Sequence, residues 1–181
     1  MLKLFSWLKG NNNSAMNDAR RVYSKTMAQS RNAVFFTPGY VTDSYDGRME
    51  VLCMHLAILL RTFKKHGEEG RISGQALYDV MIDDFDVALR EECLSDTAVK
   101  RRIKPLAKMF FTQAKVYSDA LDSSNEGDLG VIVSKFITSD GKKHADYTAN
   151  FSRYIRAYST ILDELSLGQI VKGGFSYPNL T

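Results

Sequence analysis

The chain has 181 residues, 44% of them hydrophobic and 11% aromatic, with a formal net charge of +3. That length suits one domain with a proper core, and the composition excludes a disordered chain. So mild a charge does not mark a nucleic-acid binder, so any basic footprint must be local. Two cysteines without close spacing, Cys53 and Cys93, offer neither a disulfide framework nor a zinc site.

In chain order, the opening MLKLFSWLKG sets Leu2, Leu4, Phe5, Trp7 and Leu8 around Lys3 and Lys9. The apolar residues are too interrupted for a signal-peptide core. They read either as a short amphipathic foot touching a membrane through Leu2, Phe5 and Trp7, or as one hydrophobic docking turn. GNNN at 10–13 predicts a break, dividing a foot over 1–13 from a helical domain over 14–181. Ser14 then opens a helix to about Arg31, with Ala19, Val22, Tyr23 and Met27 on one face. Phe35-Phe36-Thr-Pro-Gly-Tyr40 predicts a loop, broken at Pro38 and turned at Gly39, whose phenylalanines plug one end of a bundle.

The next stretch, Asp43 to Lys65, organises the chain. From Val51 to Leu60 its only polar side chain is His55, so it predicts a helix buried on most sides. Thr42 or Asp43 is the candidate N-cap and Gly67 the stop. Leu52, Leu56, Leu59, Leu60 and Phe63 should be almost fully buried. The run is shorter than the roughly 20 apolar residues that span a bilayer. After a polar turn, HGEEGR, a third helix runs from a Ser73 cap to about Glu92. Asp84 projects within its Leu77/Met81/Ala88 face. An unpaired carboxylate there is costly, so a partner is expected: Arg48 first, then His55 or a lysine of the next helix.

A fourth helix, from Ser95-Asp96 to about Leu121, carries the apolar stripe Val99, Ile103, Leu106, Phe110, Tyr117 and Leu121. Lys100, Arg101, Lys104, Lys108 and Lys115 fill an adjoining arc of roughly 100°, with Phe111 on its border. Pro105 should kink this helix. A short apolar helix (Leu129 to Ile137), a turn (SDGKK), a last long helix (about His144 to Leu165) and an irregular tail, GGFSYPNLT, complete the chain. No stretch alternates with period two. The expected fold is all-α, a single bundle-like domain of about six helices around the buried one.

Motifs for chemistry are sparse. Asp79 and Asp83 form a DxxxD, but magnesium diphosphate sites need a second facing carboxylate cluster, and Asp119 with Asp122 lacks the spacing. No Glu-x-x-His pairs suit a di-iron bundle, and no nucleophile motif or P-loop occurs. His66 and His144 lie at polar turns. His55 reads as a core histidine satisfied by a carboxylate, or alternatively as a haem ligand. Neither metal nor cofactor is expected, nor is catalysis.

The central, third and fourth helices resemble the ubiquinol–cytochrome c chaperone family. The matching residues are Asp46-Gly47-Arg48 with His55, Ala76-Leu77-Tyr78, Asp84-Phe85-Asp86, Leu89-Arg90-Glu91 and Asp96. Val99 with Lys100 or Arg101, Phe110-Phe111, Tyr117, and Tyr154-Ile155-Arg156 continue the pattern. Two positions depart from it. Glu92-Cys93 stands where the family has a glycine, and Thr112-Gln113 replaces a Gly-Arg pair beside the expected working face.

The resemblance implies a non-enzymatic, all-helical chaperone that binds newly made cytochrome b, with a place in the bacterial cytoplasm at the inner-membrane surface. It also implies association with the ribosome and a small helper subunit. The client-binding candidates are Lys100, Arg101, Lys104, Lys108 and Phe111, with the Phe35-Phe36 loop as a further one. Other readings are a small-molecule or haem-binding domain and a ribosome- or RNA-associated protein.

Overall fold

An apolar run flanked by an N-cap and a left-handed glycine makes α2 (Tyr45–Lys64). The computed structural model describes residues 2–37, 40–91, 95–125, 127–137 and 145–180, with side chains from residue 13 onward except at 136 and 145. Ser44, rather than Thr42 or Asp43, caps α2: its side chain accepts from the Gly47 N–H at 3.1 Å, while Asp43 is engaged by Arg48. Gly67 adopts φ +63° between α2 and α3 (Gly67–Glu91), a conformation glycine takes at no steric cost.

Around α2 pack α1 (Leu2–Ser30), α3, α4 (Asp96–Asp122) and α6 (Ala145–Asp163). α5 (Gly127–Phe136) bridges α4 and α6, and α7 (Leu167–Val171) rests on α1. The fold is all-α, with seven α-helices, one 3-10 turn (Ala33–Phe36) and no strand among the described residues. Every residue from 51 to 59 is buried, including Leu52, Leu56 and Leu59, and so is Phe63. Leu60 is only half-buried. It lies over Gly74, whose missing side chain leaves that side uncovered.

Several elements differ from expectation. α1 runs unbroken through residues 10–13, so GNNN does not end the helix there. α3 begins at Gly67, not Ser73: Glu68 and Glu69 are in its first turn, where carboxylates favour a helix N-terminus. α4 continues through Pro105. The Ser166/Gln169 capping box starts an unexpected α7. The tail beyond it is irregular but not loose. Phe175 is buried, Tyr177 donates from its hydroxyl to Thr26 at 3.1 Å, and Lys25 donates to the Gly173 and Phe175 carbonyls. Pro38-Gly39, Glu92-Cys93, the SDGKK turn and His144 lie outside the described residues, as do the side chains of Leu2, Phe5 and Trp7.

Candidate functional site

α4 starts where Ser95 accepts from the Ala98 N–H, and it is moored to α3 by Arg90, whose guanidinium reaches both Asp86 and Asp96. Those family-motif residues therefore staple two helices. Arg90, and more weakly Lys100, hold the Asp96 carboxyl below its usual range. Glu91 is exposed. One stripe of α4 is buried through Val99, Phe110, Gln113, Tyr117 and Ala120. Opposite it, Lys100, Arg101, Lys104 and Lys108 are all exposed. Phe111 stands beside them, 53% exposed, its ring 4.9 Å from that of Tyr78 on α3. The arc predicted from helical spacing is thus one continuous surface.

A cleft adjoins this surface, and Arg101 belongs to both. One lobe, of about 380 Å³, is lined by Leu89, Arg101, Arg102, Pro105 and Leu106, and a second, of about 160 Å³, by Met27, Met49, Leu52, Phe85 and Ala88 with Arg31, Arg48 and Asp84 at its polar side. Tyr45, 53% exposed at the start of α2, lines both. Methionines give such a wall an adaptable shape. Helical spacing marked the cationic arc, but it gave no signal for this cleft, which depends on where α1, α2, α3 and α4 diverge.

The expected Arg48–Asp84 ion pair is absent. Arg48 pairs with Asp43 at 2.6 Å and lies over the Phe36 ring at 5.5 Å, and Asp84 accepts from the Tyr23 hydroxyl at 2.7 Å. Asp84 faces the cleft, where it is exposed, so it needs no buried cation. Asp46 sits in the first turn of α2, and Gly47 is required sterically: a Cβ there would lie 2.1 Å from the Thr42 carbonyl oxygen. Phe35 is fully buried against His55, Phe151 and Tyr154, so as the chain is folded it plugs the bundle and offers nothing to a client. Phe36 is half-buried.

Among the described residues His55 has no carboxylate partner. Its Nδ1–H donates to the Val51 carbonyl at 2.7 Å, because a carbonyl can only accept. Nε2 therefore accepts from the Tyr154 hydroxyl, also at 2.7 Å. Gln29 in turn donates to that hydroxyl at 3.2 Å. Burial pushes the His55 pKa down to about 4. A neutral imidazole with both nitrogens engaged leaves no lone pair for haem iron. Among the described residues no three His, Cys, Asp or Glu side chains gather to hold a metal.

A second polar group joins α2 to α4. Gln113 Nε2 donates to Glu50 at 2.5 Å, while Gln113 Oε1 and the Tyr117 hydroxyl are buried without a partner among the described residues. Burial raises the Glu50 pKa to about 7, with Gln113 opposing and Asp46 adding to the rise. The departure Thr112-Gln113 thus supplies a contact within the protein. Sequence reasoning also missed Arg61, which ties α2 to Asp122 on α4 (2.6 Å) and to Ser159 and Asp163 on α6. The signal was available: an arginine ending an apolar run needs a partner.

Taken together, fold and surface define an all-helical protein that presents a cationic face and an apolar cleft along one helix. Residues 40–177, more than half of the chain, match the family described as Ubiquinol-cytochrome C chaperone, and the chain belongs to that family. It is also similar to a solved structure, the crystal structure of the Cbp3 homolog from Brucella abortus. The two are 25% identical, and the match covers 99% of this chain and 97% of that one with a TM-score of 0.80. No curated protein matches the chain. Among the described residues no helix is long and apolar enough to cross a membrane.

Proposed function

We propose that the chain is a non-catalytic assembly chaperone that receives newly made cytochrome b at the bacterial inner-membrane surface. The observation that carries the reading is the pair of half-exposed aromatics, Phe111 on α4 and Tyr45 at the start of α2, in a member of this chaperone family. The half of each ring left in water adds nothing to the fold, and apolar surface exposed next to a cleft that Tyr45 lines marks a binding surface. Tyr45 and the methionine-lined lobe meet the apolar client, with Phe111, Lys100, Arg101, Lys104 and Lys108 along the adjoining edge and Phe36 at its periphery. A photo-crosslinking residue at position 45 or 111 should capture cytochrome b as it is synthesised. The same residue at exposed Val131 on α5 should not. Capture at 131 but at neither 45 nor 111 would move the client to the opposite side.

A further inference from the structure

The charge on α4 is distributed unlike that on the other helices. Over residues 97–118 there are six lysines and arginines and no aspartate or glutamate. On α1 and α3 three exposed arginines are neutralised within a turn, Arg21 by Asp18, Arg71 by Glu68 and Arg90 by Asp86, as Lys115 is by Asp119 at the far end of α4, while among the described residues Arg20 bonds only the Asn17 amide. Ordinary solvated faces interleave their signs in this way. The side chains of Arg101, Lys104 and Lys108 have no ion-pair or hydrogen-bond partner among the described residues, and that of Lys100 has only the neighbouring Asp96 charge. From Lys100 to Phe111 the helix rises about 16 Å, so this is an extended ridge rather than a point.

We infer that this ridge docks on an anionic phospholipid bilayer, with the lysines among the headgroups and Phe111 at the boundary with the acyl chains. The inference rests on the proposed place of work at a membrane surface and names the face that touches it. Three features favour a bilayer over an RNA strand. Lys100, Lys104 and Lys108 stand on the outer side of one helix, away from the cleft that Arg101 also lines, which suits a plane and gives these lysines no groove to enclose a backbone. Three of the four are lysines, point charges suited to a diffuse field, where phosphate recognition in nucleic acid favours arginine forks. The Phe111 ring is tilted onto Tyr78, so one of its faces is already taken for stacking. With the ridge on the bilayer, the Tyr45 cleft beside it opens along the membrane, where a segment leaving the lipid can be met.

The test is co-sedimentation of the full chain with vesicles of phosphatidylcholine alone or mixed equally with phosphatidylglycerol. At about 0.1 M salt, where charges act over about 10 Å, the chain should bind the mixed vesicles and leave the neutral ones in solution. Each cation near such a surface contributes about fivefold, so K100E/K104E/K108E should bind about a hundredfold less tightly or worse. Its thermal melt should match that of the parent chain. Phe111→Ala should weaken binding severalfold without changing the salt dependence. A control with the same change in net charge at exposed sites elsewhere, R20E/K64E/K172E, should keep most of the binding. Equal losses in the two triple variants, or none in either, would overturn the assignment. So would binding of poly(U) through the same lysines with no binding to vesicles, which would give the face to RNA. The assay contains no client, so it can fail while crosslinking to cytochrome b succeeds, and the reverse.

Discussion

Two ionisable side chains on α2 respond to burial in opposite senses. Glu50 has its pKa raised to about 7 chiefly by burial. Between its ordinary 4.5 and that value the folded chain holds a proton the unfolded chain has released. Its contribution to stability therefore falls as pH rises through this window. His55, lowered to about 4 by burial, does the reverse. Its contribution is complete above 6.5 and is lost as pH falls through 4. Glu50→Gln should therefore melt with the parent chain near pH 4.5 and above it near pH 8. An equal difference at both pH values would show that Glu50 does not titrate in this window. Tyr154→Phe removes the donor to His55 Nε2 and leaves a buried acceptor bare, which costs about 1–3 kcal/mol in chemical denaturation. Asp84→Asn touches only an exposed carboxylate bonded to Tyr23 and should change stability by no more than about 0.5 kcal/mol.

Helices with a strong internal pattern were legible from the residues alone, and those whose limits depend on tertiary contacts were not. The run from Val51 to Leu59 could only be an interior helix, and Ser95 with Asp96 marked the start of α4. Spacing also put the cations of α4 on one face. Spacing alone could not show that the Asp84 side of α3 borders an open cleft, because that depends on where α1 and α2 part from it. HGEEGR looked like a turn because its composition is polar, yet with Gly67 in the left-handed conformation the following residues are free to begin α3. The tail carried no periodicity at all. Its order comes from Lys25, whose ammonium lies 4.6 Å from the Phe175 ring centre and bonds two tail carbonyls, and from Tyr177, whose ring is tilted against that of Tyr158 at 4.9 Å. The tail is therefore an element of the fold. Phe175→Ala should cost about 3–5 kcal/mol, as truncating a buried phenylalanine does. A melt within a degree of the parent chain would mean the tail packs without contributing.

At the scale of the molecule, α2 is in contact with α1, α3, α4 and α6, so these helices share one core and should unfold with it as a unit. Arg61 adds a polar tie among α2, α4 and α6 at one end, and the Gln29–Tyr154–His55 chain ties α1, α6 and α2 at the other. Native-state hydrogen exchange reads this directly, because amides that open only in global unfolding share one free energy while local openings show lower ones. Amides of α2 from Val51 to Leu59 should be the slowest, and the central turns of α3, α4 and α6 should exchange with the same free energy. Leu56 is 1% exposed, and Leu56→Ala should lower that shared value by about 2–5 kcal/mol, the cost of emptying a core site. The decrease should be uniform across the four helices, although the substitution lies in only one of them. If α6 kept its protection while α2 lost it, the bundle would comprise two cooperative units, with α2 central to only one.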